Sequence, residues 1–210
     1  PRARVIHTGN PIRREVRALV PAPVRDRCRT LLVMGGSQGA RTLNRALTGS
    51  LHALLEAHAD LQVVHQSGNL DWPGVRAARD ALPAELAARY TAAPFYDDIA
   101  GRIAASDLVV MRAGGSSLAE CSALGRAMVL VPYPHAGGHQ RHNATPYRRS
   151  GAAVVVADEA FSPQRLQHEV SNLMRDTERW SRLSAASAAM GIPDAADRVA
   201  RLVLQLGDAA

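Results

Sequence analysis

Four stretches carry residue types suited to holding a charged or sugar-bearing ligand. The first, Gly35-Gly36-Ser37-Gln38-Gly39-Ala40, follows an apolar run and opens a helical one. Glycines there allow positive φ and close backbone approach. The free N–H groups and dipole of a helix start favour an anion, above all a phosphate. Ser37 adds a hydroxyl donor. The stretch is neither a Walker A loop, which needs a lysine, nor GxGxxG. Its plain alternative is a tight turn with a serine cap. The second stretch, residues 112–120 (RAGGSSLAE), repeats the logic. Gly114 and Gly115 bring backbone near a ligand, Ser116 or Ser117 caps the helix, and Glu120 follows about one turn into it. A carboxylate there can accept bonds from two vicinal ribose hydroxyls, as acidic residues do in other nucleotide sites. Its alternative is a capping box, because Ser117-x-x-Glu120 has that spacing.

The third stretch, residues 132–144 (PYPHAGGHQRHNA), holds His135, His139 and His142. Three imidazoles suit zinc, and His139 and His142 could share a helical face. No Cys or HExxH pattern supports that reading, so no metal is expected. The alternative is a polar loop and helix start whose His139 and Gln140 hydrogen-bond a sugar. In the fourth stretch, Phe95-Tyr96-Asp97-Asp98-Ile99, a loop backbone can read a base edge beside an apolar wall. Its alternative is a helix start capped by Asp97 or Asp98.

These stretches need a scaffold that delivers them to one edge. From Arg29 onward, short apolar runs alternate with helical ones. Strands are expected at 30–34, 61–65, 90–93, 107–111, 127–131 and 152–156, the third being weak. Helices are expected at 40–58, 73–89 with a break at Pro83, 99–105 and 116–124, and from about 138 through 150. Three more close the chain, at 162–175, 178–189 and 195–205. Continuous Val/Leu-rich runs suit strands buried on both faces. Strand–helix alternation argues for βαβ units, a mostly parallel sheet and helices on both faces. The expected fold is an α/β, Rossmann-like, doubly wound parallel sheet of about six strands. Ligands bind such sheets at the carboxyl ends of the strands, and all four stretches follow strands.

Composition narrows the classes further. The 210 residues are 47% hydrophobic and 21% charged, a globular balance that excludes a disordered tail or a fibre. Aromatics are 4%, too few for a base-stacking nucleic-acid platform, so no nucleic-acid partner is expected. No run reaches the roughly 18 apolar residues of a membrane span. All 25 basic residues are Arg, against 19 acidic ones. All-Arg usage with abundant Ala fits the codon bias of a GC-rich genome. Eight Arg fall within the first 29 residues, a basic face toward anionic lipid or phosphate, or simply a solvated surface. Cys28 and Cys121 form no disulfide framework, which fits a reducing compartment. The opening Pro1-Arg2-Ala3-Arg4, without an initiator Met, reads as a start inside a longer protein.

Taken together, Gly9-Asn10-Pro11-Ile12-Arg13, the GGSQGA turn, His65-Gln66-Ser67-Gly68, the FYDDI loop, residues 112–120, and His139-Gln140 with Asn143-Ala144 occur in an order that resembles one family. From about residue 5 to the end, the chain is similar to the C-terminal half of the MurG-type peptidoglycan N-acetylglucosaminyltransferases of glycosyltransferase family 28. The resemblance implies one half of a GT-B glycosyltransferase. Residues 1–28 would be interdomain linker and first helix, and residues 29–210 the nucleotide-sugar (donor) domain. The donor would be UDP-N-acetylglucosamine (UDP-GlcNAc), transferred with inversion to undecaprenyl-pyrophosphoryl-MurNAc-pentapeptide, converting lipid I to lipid II. No cofactor and no bound metal would be required. Ser37 and the turn Gly114, Gly115 and Ser116 would face the diphosphate. Glu120 would hold the ribose, Phe95 and the backbone of Tyr96 would frame uracil with Arg13 nearby, and His139 and Gln140 would hold the GlcNAc. The lipid acceptor, the membrane-facing patch and the catalytic base would belong to an N-terminal domain outside this chain, so no residue here is assigned as base. The location implied is cytoplasmic, peripheral on the inner face of the bacterial plasma membrane.

Tyr96 departs from the aliphatic residue expected at its position, which a backbone contact tolerates. Two rival readings are the donor-site subunit of a two-component glycosyltransferase and a natural-product glycosyltransferase using another nucleotide sugar. The latter usually carry His-Gly-Gly where this chain has Arg112-Ala113-Gly114, and Asp-Gln where it has His139-Gln140. A UDP-sugar epimerase, also two Rossmann-like domains, is opposed by the GGSQGA loop.

Overall fold

Alternate residues of each central strand face opposite ways, and here both faces are buried. In the computed structural model, which describes residues 5–20, 26–36 and 39–208, β1 (Thr30–Met34) sends Leu31 and Val33 into one apolar core and Leu32 and Met34 into a second. β4 (Leu108–Met111) and β5 (Ala127–Leu130) divide in the same way. That two-sided burial is why the strands read as unbroken apolar runs rather than alternating ones. With β2 (Gln62–Gln66), β3 (Tyr90–Ala93) and β6 (Ala153–Val155) they form a six-stranded, all-parallel sheet in the order β3-β2-β1-β4-β5-β6. The order reverses between β1 and β4, where a doubly wound sheet opens its ligand crevice.

Helices cover both faces. α2 (Arg41–Ala57), α3 (Trp72–Asp80), α8 (Pro163–Arg175) and α9 (Thr177–Met190) contribute to the first core. α1 (Arg14–Arg17), α5 (Ile99–Ala105), α6 (Gly115–Ala123) and α7 (His139–Arg149) contribute to the second. The remaining helices are α4 (Ala84–Ala87) and α10 (Ala195–Asp208). The expected helix at 73–89 is interrupted as anticipated, with Pro83 standing just before α4, where a missing N–H removes no helical bond. α1 packs against both α5 and α6, and its Val16 is fully buried. Residue 13 is thereby held close to the loops that follow β3 and β4.

Candidate functional site

Three helix N-termini open onto one cleft at the carboxyl ends of β1, β4 and β5. The cleft has a volume of about 840 Å³, and Gly39, Ala40 and Arg41 bring the start of α2 to its wall. Gly114 and Ser117 bring the start of α6, and Gln140 the start of α7. None of these helices has a side-chain cap or an acidic residue in its first turn. Away from the cleft, α5, α8 and α9 are capped by Asp98, Ser162 and Asp176. A capped start has its orphan N–H groups satisfied and its dipole partly neutralised; an uncapped one keeps both for a ligand. α1, α3 and α4 also lack a side-chain cap; what sets the cleft apart is the meeting of three uncapped starts, an arrangement suited to an anion.

The turn before α2 is tightly packed. Gly39 has φ +80°, and a Cβ there would lie 2.2 Å from the Ser67 carbonyl oxygen; a Cβ on Gly35 would lie 2.3 Å from the Ala40 nitrogen. Glycine is required at both positions. Ser37 and Gln38 lie outside the described residues. Behind the turn, Asn44 donates through Nδ2 to the Ser67 carbonyl (2.9 Å) and to Asp71 (2.8 Å). Its Oδ1 faces His65 Nε2 at 2.9 Å, and His65 Nδ1 lies 2.7 Å from the Tyr90 hydroxyl. With Oδ1 an acceptor, Nε2 carries the proton and Nδ1 accepts from Tyr90. Burial pushes the His65 pKa down to about 4, so the ring is neutral and structural.

The turn before α6 differs from expectation. The helix begins at Gly115 with Gly114 as N-cap, so neither Ser116 nor Ser117 caps it. Glu120 falls in the second turn, out of reach of a capping box, which corrects that reading. Its carboxylate is instead held by Arg13, with Arg13 Nε donating to Oε1 at 2.6 Å and Nη2 to Oε2 at 2.7 Å. This bond keeps the Arg13 guanidinium above its usual pKa. Glu120 is 5% exposed. A buried carboxylate with a single bidentate partner keeps one lone-pair site on each oxygen.

Gln140 has a role the sequence did not show. Its Oε1 accepts from the Ala113 and Tyr133 backbone N–H groups, each at 3.0 Å. Asn143 Nδ2 donates to the Ala113 carbonyl at 3.0 Å. α7 therefore clamps the loops after β4 and β5 together, and only the Nε2 group of Gln140 is left to donate to a sugar. His139 is exposed at the start of α7.

Phe95 is 53% exposed and Tyr96 is buried. The Tyr96 ring packs inward, with the Arg102 guanidinium 3.8 Å from its centroid. The Tyr96 backbone N–H, expected to meet a base edge, donates to Gln66 Oε1 at 3.2 Å. Asp98, not Asp97, caps α5 by accepting from the Gly101 N–H at 2.9 Å. Of the expected site residues, Gly114 and Gln140 line the cleft, and Gly115 opens onto a neighbouring groove. Arg13, Phe95, Tyr96, Ser116, Glu120 and His139 lie outside the cleft lining itself. Among the described residues, no group of three or more His, Cys, Asp or Glu is placed to hold a metal ion.

Polar cleft residues to which the sequence assigned no role include Arg41, Asp71, Arg112, Tyr133 and Asp158. Arg112 donates to the Val131 carbonyl (3.0 Å) and pairs with Asp158, which also accepts from Thr42 Oγ1 at 3.1 Å. Arg112 directly follows a strand, which was the available signal. Its partner Asp158, 46 positions away, had none.

Residues 30–199 match the glycosyltransferase family 28 C-terminal domain. The chain is 39% identical, over 96% of its length, to a UDP-N-acetylglucosamine–N-acetylmuramyl-(pentapeptide) pyrophosphoryl-undecaprenol N-acetylglucosamine transferase of Syntrophotalea carbinolica, of which it covers 55%. It is 42% identical to the transferase of the same name from Sorangium cellulosum, with 96% of the chain and 49% of that protein covered. The crystal structure of Acinetobacter baumannii MurG superimposes with a TM-score of 0.72 at 27% identity, over 91% of this chain and 52% of that one. The chain thus spans about half the length of the curated relatives it matches. With the fold, the cleft and these likenesses agreeing, the chain belongs to glycosyltransferase family 28, whose C-terminal domain it carries.

Proposed function

We propose that the chain is the donor-binding half of an inverting GT-B N-acetylglucosaminyltransferase that moves GlcNAc from UDP-GlcNAc to lipid I in peptidoglycan synthesis. The convergence of three uncapped helix N-termini on one cleft carries this reading. In such a transfer, the bond from the anomeric carbon to the β-phosphate oxygen breaks and negative charge grows on the departing UDP. Fixed N–H dipoles aimed at that charge stabilise it without reorganising. Glu120, with its two remaining acceptor positions, suits the ribose hydroxyls. Phe95 offers an exposed apolar face to uracil, and Arg13 ties Glu120 to the linker side of the site. The acceptor and its base would come from the other half of the enzyme. No helix among the described residues is long and apolar enough to cross a membrane; lipid contact would be peripheral, favoured by the net charge of +6 toward anionic headgroups.

Titration calorimetry of the 210-residue chain with UDP-GlcNAc, UDP, TDP and GDP tests the reading. UDP and UDP-GlcNAc should bind and TDP and GDP should bind more weakly. Equal or tighter GDP binding would overturn it.

A further inference from the structure

The chain contains eight aromatic residues: two Phe, two Trp and four Tyr. Only Phe95 and Tyr133 are substantially exposed. Phe95 opens the FYDDI loop, outside the cleft lining, whereas Tyr133 is part of the cleft wall and 42% exposed. Leaving this ring open in a polar cleft forgoes burial of a large apolar surface there.

The ring is held in place without a ligand. Pro132 and Pro134 flank Tyr133, and a residue before proline is confined to extended backbone. The Tyr133 N–H donates to Gln140 Oε1 at 3.0 Å. His135 meets the ring edge-on, with centroids 5.2 Å apart and planes at 72°. The Arg112 guanidinium lies 5.4 Å from the ring centroid and is itself anchored by Val131 and Asp158. A pre-set aromatic face costs little ordering when a ligand docks on it.

Its position selects the ligand group. Gln140, whose oxygen fixes Tyr133, also fixes Ala113, the residue before the Gly114 start of α6. The ring is thus tied directly to the anion-binding end of the cleft. Beyond the diphosphate of a nucleotide sugar comes a hexopyranose, whose chair presents a face of C–H groups. An aromatic ring packs against such a face and takes up none of the sugar's hydroxyls.

We infer that Tyr133 is a sugar-binding residue, its ring the platform for the apolar face of the donor's sugar. This rests on the UDP-GlcNAc reading above and adds a residue that reads the sugar rather than the nucleotide. Removing the ring should therefore act on UDP-GlcNAc and spare UDP.

The test is titration calorimetry of the 210-residue chain and its Tyr133→Ala and Tyr133→Phe variants with UDP and with UDP-GlcNAc. Thermal denaturation checks that each variant is folded. Nuclear magnetic resonance follows the sugar C–H protons. Tyr133→Ala should weaken UDP-GlcNAc about three- to tenfold, the range for one well-placed aromatic contact, and change UDP less than about twofold. Tyr133→Phe should match the wild type with both ligands. The sugar protons should move upfield on binding to the wild type and not on binding to Tyr133→Ala. Equal losses for UDP and UDP-GlcNAc, or sugar signals indifferent to the ring, would overturn the inference while leaving the donor reading intact. A wild-type chain that binds neither ligand would remove the donor reading and this inference with it.

Discussion

Glu120→Gln separates a ribose-binding carboxylate from one that merely anchors Arg13. Both oxygens of Glu120 accept from Arg13, at 2.6 and 2.7 Å, and the side chain is 7% exposed. Each oxygen retains a second lone-pair site, so acceptor capacity for two ribose hydroxyls remains with Arg13 in place. Glutamine keeps the shape but removes the charge and turns one accepting oxygen into a donor. One charge-assisted hydrogen bond to the ribose is then lost, worth about 1.5–3 kcal/mol, or about ten- to 150-fold in UDP affinity. The stability cost should be smaller, about 1 kcal/mol or less, because the Arg13 side chain is 47% exposed and water screens the pair. Titration calorimetry with UDP and 2′-deoxy-UDP, beside thermal denaturation, reads both effects. The wild type should prefer UDP, and the variant should lose most of that preference. A variant that melts lower yet binds UDP as the wild type does would show that Glu120 serves only to hold Arg13.

Gly39→Ala would place a methyl group 2.2 Å from the Ser67 carbonyl oxygen at φ +80°; a loss of about 1–3 kcal/mol is expected, seen as a lower melting temperature together with weaker UDP binding. The His65 pKa is about 4 in the fold against 6.5 as its ordinary value, so the unfolded chain takes up the extra proton between those limits. The stability held by this neutral ring is whole above about pH 6.5 and is lost as pH falls toward 4, by about 3 kcal/mol. Urea unfolding across that range should show the slope in the wild type and a flatter one in His65→Gln. UDP affinity should be unchanged by excess EDTA, since helix termini face the anion; a strict requirement for magnesium or manganese, seen by calorimetry, would contradict this account.

Much of the architecture was legible along the chain. TLLVM and AMVL announce strands buried on both faces, Pro83 marks the break between α3 and α4, and glycine-bearing turns mark the carboxyl ends of β1 and β4. These signals are local: side-chain periodicity, missing donors and permissive backbone act within a few residues. The helix cap of α6 escaped because it depends on how the chain enters the helix, and Gly114 takes a place that two serines next to it could have filled. The side-chain partnerships escaped for a different reason. Arg13 and Glu120 are 107 positions apart, and Gln140 fixes amides 27 and 7 positions away. Asn44, His65 and Tyr90 meet only once α2, β2 and β3 are packed. Such pairs have no signature in spacing, because burial removes water as a competing partner only after the sheet has assembled. The sequence alone therefore says which glycine-bearing turns follow the strands, and the folded chain determines which of their polar atoms are already committed to one another and which remain open.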